Sequence, residues 1–261
     1  MATEVGLKSY LIGYQTIVLK EVRRILRIWP QTLLPPAITM TLYFVIFGQL
    51  IGRRIGSMGG MSYMDFIIPG LVMLSVITNA YGNITSSFFG AKFGRHVEEL
   101  LISPLPPVLI LAGYVTGAVF RALTVAALVL LVAAFFSDLR VVHWGVTLAM
   151  VLLTSVVFAL GGFINAIYAQ KFDDISIVPT FVLQPLTYLG GVFFSVDLLP
   201  GLWREIALFN PILYMVNAFR YGMLGVSDVP LVTAFGIVIT LMLVLGTISM
   251  TLLRRGVGLR T

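Results

Sequence analysis

Six long runs of uncharged, apolar sequence constrain this chain more than any other feature. About 20 apolar residues in a helix cross the hydrocarbon core of a bilayer, because the helix bonds its own backbone groups where no water can. The runs cover residues 32–51, 66–91, 108–137 (interrupted by Arg121), 141–170, 175–196 and 229–253. A seventh uncharged run, 206–219, is only 14 residues long. It reads as re-entrant or interfacial rather than spanning. The expected fold is an all-α membrane protein with six transmembrane helices. An N-terminal interfacial amphipathic helix precedes them, and an outer re-entrant helix pair separates spans five and six. The division is residues 1–30 for the first helix and 31–261 for the six-helix domain.

Composition agrees. Charged residues make up 11% of the chain and hydrophobic ones 59%, against roughly a quarter and about half in soluble domains. A soluble enzyme, a disordered tail and a nucleic-acid-binding domain are excluded. The absence of cysteine excludes disulfides and thiolate metal sites.

Lys and Arg in short loops favour the cytoplasmic side. With both termini inside, the inner set is Lys8, Lys20, Arg23, Arg24, Arg27, Lys92, Arg95, Lys171, Arg254, Arg255 and Arg260. The outer set is the smaller one, Arg53, Arg54, Arg140, Arg204 and Arg220. The expected location is the bacterial inner membrane, with both ends cytoplasmic. No cleavable signal peptide is expected, since the first strongly apolar run begins near Thr32 and lacks a small-residue cleavage site.

Three segments between the spans carry information. Over residues 8–29, Leu11, Tyr14, Val18, Val22, Ile25, Leu26 and Trp29 form one helical stripe, with Lys20, Arg23, Arg24 and Arg27 opposite. Such a helix lies in the inner headgroup plane, contacting membrane lipid, until Pro30 breaks it. It serves either as a topology anchor or also as a contact for a cytoplasmic partner. In residues 92–103, Phe93, Val97, Leu100 and Leu101 share one face of a short helix, and Arg95, Glu98 and Glu99 make a mixed-charge face. Prolines at 104, 106 and 107 stop it. Either another protein grips this helix or it rests on headgroups. In the last connection, Asn210-Pro211 signals a helix start, and Gly222 and Gly225 are plausible stops.

Catalytic chemistry is missing. The chain has no phosphate loop, no Gly-x-Ser-x-Gly, and only two histidines, His96 and His143, without metal-ligand spacing. It is expected not to be an enzyme and to need no cofactor. Ionisable groups inside a membrane are functional candidates, and Arg121 is the clear one near mid-span. It either pairs across a helix interface or meets an anionic headgroup. The spans hold no carboxylate or histidine cluster, which argues against ion coupling. Asn79, Asn83, Asn165 and Gln184 read as interhelical glue. The Gly113–Gly117 spacing permits close helix contact.

These features together resemble the membrane subunit of a type-2 ABC exporter. The resemblance is carried by Asp173-Asp174-Ile-Ser-Ile-Val-Pro179 through Gly190-Gly191-Val-Phe-Phe, then Asn210-Pro211-Ile-Leu-Tyr214 and Phe219-Arg220-Tyr221-Gly222. Pro35-Pro36-Ala-Ile-Thr-Met-Thr-Leu-Tyr-Phe and Ser86-Ser87-Phe-Phe-Gly-Ala-Lys-Phe look closest to one branch of inner-membrane permeases within that family. The resemblance implies a homodimer joined by a separate ABC ATPase, with ATP-driven export of an amphipathic or lipid-like substrate (drug, glycolipid or polysaccharide class). It implies that residues 92–103 are a coupling helix contacting the ATPase through Arg95, Glu98 and Glu99. Residues 199–224, with Asn210, Pro211, Tyr214 and Arg220, correspond to the outer re-entrant pair. A membrane scaffold or passive channel without an ATPase is the alternative.

Overall fold

The computed structural model describes residues 6–58, 60–138 and 140–258. Arg260, counted above with the inner charges, lies outside the described residues. Helix α1 (Leu7–Arg27) is followed after Ile28 by α2 (Trp29–Tyr43), which continues through π-helical turns at Phe44–Ile51 into α3 (Gly52–Ile55). The break falls at Ile28, so Pro30 sits in the first turn of α2, where its missing N–H costs nothing. A two-residue hairpin pairs Ser57 with Ser62 and Met58 with Met61. Then come α4 (Tyr63–Phe93), α5 (His96–Ile102), α6 (Pro107–Ala133) and α7 (Trp144–Tyr168). Beyond them lie α8 (Asp174–Val178), a π turn (Pro179–Leu183), α9 (Gln184–Tyr188), α10 (Gly201–Leu208), α11 (Pro211–Leu224) and α12 (Leu231–Arg255).

Among the described residues, five helical stretches are long and apolar enough to cross a membrane: Trp29–Ile55, Tyr63–Phe93, Pro107–Ala133, Trp144–Tyr168 and Leu231–Arg255. The fifth expected span, residues 175–196, is the one without a long regular helix among the described residues. Residues 174–188 are helical and reach about 22 Å at 1.5 Å per residue, short of the roughly 30 Å hydrocarbon core. Pro179 and Pro185 remove backbone donors inside it. The helix then stops at Gly190-Gly191, where Gly191 takes a left-handed φ of 73°. Hydropathy counted these residues as apolar but was blind to their broken backbone.

Helix α4 is the axle of the fold, buried along nearly its whole length and packed by α6, α7 and α11. Near its C-terminal end, Phe88 packs on Phe163 (4.3 Å between centroids) and edge-on to Tyr114 (5.2 Å). Towards its N-terminal end, Phe66, Ile67 and Leu71 meet Leu213, Val216 and Phe219 in the larger core cluster. Outward-facing apolar side chains are abundant instead of rare: α12 exposes Val232, Ile239, Leu243, Val244 and Ile248. Such a surface suits hydrocarbon, not water.

The placement of α1 corrects a second expectation. Ile17 lies against Gly113 and Glu21 against Gly117. One turn of α1 therefore advances with one turn of α6, and α1 runs along α6. A Cβ at Gly113 would stand 2.6 Å from Ile17, and one at Gly117 would stand 2.5 Å from Glu21, so only glycine admits this approach. The buried line of α1 is Ile17, Glu21 and Ile25, while Leu11, Leu26 and Trp29 of the expected stripe remain exposed.

Candidate functional site

A groove of about 410 Å³ opens between α2, α4 and residues 174–188, with Arg121 of α6 at its base. Both flanking helices carry internal prolines that remove backbone hydrogen bonds. Pro35 and Pro36 lie inside α2 and leave the carbonyls of Gln31 and Thr32 without their i+4 donors. Pro179 does the same to Ile175, whose carbonyl instead accepts from Asn165 Nδ2 at 3.2 Å. Irregular backbone at membrane depth is tolerated where it is buried in protein or lines a cavity. The groove supplies that setting.

The groove has two unlike ends. At one, Arg121 Nε donates to Asn79 Oδ1 at 3.1 Å. At the other, Tyr43 and Tyr188 line the wall, and both pack on Phe193, which also meets Phe47 at 4.8 Å. From Gln31 to Tyr43 the α2 wall extends about 18 Å at helical rise. Of the four expected glue residues, Asn79, Asn83 and Asn165 make hydrogen bonds to other segments. Gln184 instead stands exposed in the groove.

One turn along α4 from Asn79 lies a second polar cluster, in which Arg24 keeps 22% of its side chain exposed. Glu21 is fully buried, its Oε2 accepting from Arg24 at 3.0 Å and its Oε1 from Ser87 Oγ at 2.6 Å. Arg24 also donates to Asn83 Oδ1 at 2.8 Å. Arg24 therefore leaves the outward cationic face, on which Lys20, Arg23 and Arg27 stay exposed. Sequence periodicity missed Glu21 because it assigns charged residues outward. The available signal was the four-residue line Gly13, Ile17, Glu21, Ile25, with Arg24 three residues after the only acid on that line.

At the C-terminal end of α4, Lys92 Nζ caps α7 by donating to the carbonyls of Ile167 (2.5 Å) and Ala169 (2.8 Å). Arg95 takes a left-handed φ of 61° to turn the chain into α5. Val97 anchors α5 at 2% exposure, Arg95 and Glu99 face outward and Glu98 is half-buried. Phe93 and Ile102 are exposed at 64% and 85%. Phe172 stacks edge-on to Phe93 and Phe89, and a hollow of about 560 Å³ lies beside them. The Asp174 carboxylate accepts the backbone N–H groups of Gln170 (2.8 Å) and Lys171 (3.0 Å). These bonds hold it below the usual carboxylate range and shape the turn after α7.

At the opposite end, α10 and α11 meet at Phe209 and Asn210. Asn210 Oδ1 caps α11 by accepting from Ile212 N at 3.0 Å, and its Nδ2 reaches the carbonyl of Leu186. Pro211 occupies the first turn, and Tyr214 OH donates to the carbonyl of Leu208 at 2.9 Å. The helix passes through Gly222 and ends at Gly225, φ 77°. Arg220 is not a surface charge, as the loop tally had it. It is fully buried, lies 3.9 Å over the Phe66 ring, and donates to the carbonyl of Gly191 at 2.6 Å. Its burial follows from α11 packing between α4, α7 and α12.

The chain matches the family model described as ABC-2 type transporter over residues 13–224. It is 55% identical over 252 residues to the inner membrane transport permease YadH of Escherichia coli K12, covering 97% of this chain and 98% of that one. Nodulation protein J of Rhizobium leguminosarum bv. viciae is 28% identical over 218 residues, 82% of this chain and 83% of that one. Nodulation protein J of Neorhizobium galegae is 26% identical over 234 residues, 88% of each.

Proposed function

This chain belongs to the ABC-2 type transporter family, and from that premise we propose that it is an exporter subunit driven by a separate ATPase. Two copies form the membrane part in the inner membrane, with both termini cytoplasmic. The groove, flanked by α2 and residues 174–188, borders the route of an amphipathic or lipid-like substrate between the copies. The apolar side chains that these flanks leave exposed, Ile38 and Leu42 on α2 and Phe181 on the π turn, face the second copy. Helices α10 and α11 form the re-entrant pair that closes the outer end. The segment 174–188, with the turns after it, makes the fifth of six crossings.

The observation that carries this reading is the shape of α5. It is anchored to the bundle by Val97, ends the central helix α4, and presents Arg95 and Glu99 outward. ATP-driven closure of a docked ATPase pair pushes on α5, and α4 carries that displacement into the groove. Binding energy shifts such an equilibrium only by its difference between the two states. Glu98→Lys and Glu99→Lys are expected to lower ATPase activity of the reconstituted complex while membrane insertion stays normal. Wild-type activity in both variants would remove α5 from the coupling route.

A further inference from the structure

We propose that the groove takes an amphiphile with an anionic headgroup, and that Arg121 is the residue that reads the anion. This rests on the transporter reading above and narrows its substrate class. Among the described residues three arginines pack into the bundle at least in part, and their surroundings differ. Arg24 is neutralised by Glu21. Arg220 is sealed under Phe66 and tied to a backbone carbonyl. Arg121 has Asn79 as its one hydrogen-bond partner among the described residues, through Nε alone. Its two terminal nitrogens are unpartnered there. Unlike the unpartnered Nε and Nη1 of Arg220, they are not shut away from the surface.

Among the described residues, those lining the groove include no Asp or Glu. A guanidinium held at low dielectric without a counter-charge is costly, and an oxyanion offers it two parallel charge-assisted hydrogen bonds. A neutral ligand leaves that charge uncompensated, and a cationic one adds repulsion. The remaining walls choose among anions. The rest of the lining mixes Met40, Leu74, Leu183, Tyr43 and Tyr188 with neutral hydroxyl and amide side chains, and its exposed area is mostly apolar. A bare inorganic anion would use none of it. Headgroup at Arg121 and tail towards the tyrosines is the arrangement that satisfies both ends.

The test uses the full chain in phosphatidylcholine nanodiscs and equilibrium binding of radiolabelled dodecyl phosphate or dodecylphosphocholine, with empty nanodiscs subtracted. Wild type is expected to bind dodecyl phosphate about tenfold more tightly than the zwitterion, as one charge-assisted hydrogen bond allows. Millimolar inorganic phosphate is expected not to displace it. Arg121→Gln should abolish the preference, and Arg121→Lys should keep part of it as a point charge. Thr39→Trp fills the groove, leaves Arg121 in place, and should weaken both ligands together.

A preference that survives Arg121→Gln overturns the assignment and leaves Arg121 as a helix tie. If that variant does not fold, Arg121→Lys and Thr39→Trp decide: unaltered binding in Thr39→Trp overturns the groove. Displacement by inorganic phosphate at matching concentration overturns the amphiphile. The assay needs no ATPase, so its failure leaves the transporter reading standing. Recovery of the permease without an ATPase would remove that reading and leave the binding site.

Discussion

Two arginines reach the same face of α4 one helical turn apart, Arg121 at Asn79 and Arg24 at Asn83. The second has a buried carboxylate beside it, and the first opens on a groove whose described lining contains none. A compensated buried ion pair binds elements together; an uncompensated charge at a cavity wall is held ready for something that arrives. Similar side chains thus divide into a fastening between α1 and α4 and a candidate reader of substrate charge.

The division is broken first at the fastening. Glu21→Ala leaves Arg24 without its counter-charge and is expected to cost about 3–5 kcal/mol, because desolvation of the remaining ion goes unrepaid. Thermal denaturation in detergent should show this loss. The double change Glu21→Gln with Arg24→Gln should be milder than Glu21→Ala. Equal losses would mean that the pair is not coupled.

Arg220→Leu comes next. It strands the buried carbonyl of Gly191 and removes the cation from the Phe66 face, at an expected cost of about 1–3 kcal/mol for the unmade hydrogen bond. The same melting assay reads it, and an unchanged midpoint would show that Arg220 is not structural. Gly117→Leu drives a side chain into Glu21 and should cost about 1–3 kcal/mol by overpacking. Gly145→Leu, where nothing lies within 4 Å of the added Cβ, should cost less and serves as its comparison.

Arg121→Gln should have the smallest effect on stability, below about 1 kcal/mol, the scale of one net hydrogen bond. A loss as large as that of Glu21→Ala would collapse the distinction between the two arginines. Charge selectivity in the binding assay, rather than melting, is where this variant should differ from wild type.

Hydropathy located the five long helices within a few residues, and turn chemistry located α11, from the Asn210 cap to Gly225. The segment 175–196 read as one more span because apolar residues raise hydropathy whether or not their backbone donors exist. Arg220 read as a loop charge because charge counting assumes that cations stay wet. Glu21 was hidden for the converse reason: α1 looks amphipathic alone, and only Gly113 and Gly117 on a distant segment let its charged line come inside. Arg121 was legible as a lone intramembrane charge. The groove beside it was not, since it arises from two proline-containing helices far apart in sequence.

The most direct test of the whole account is recovery of the tagged chain from native membranes in mild detergent. An ATP-driven exporter is expected to bring down a second subunit carrying a phosphate loop in stoichiometric amount, together with two copies of this chain per complex. Recovery of the permease alone, from membranes in which it is fully folded, would contradict an ATP-driven exporter and favour a passive channel or scaffold.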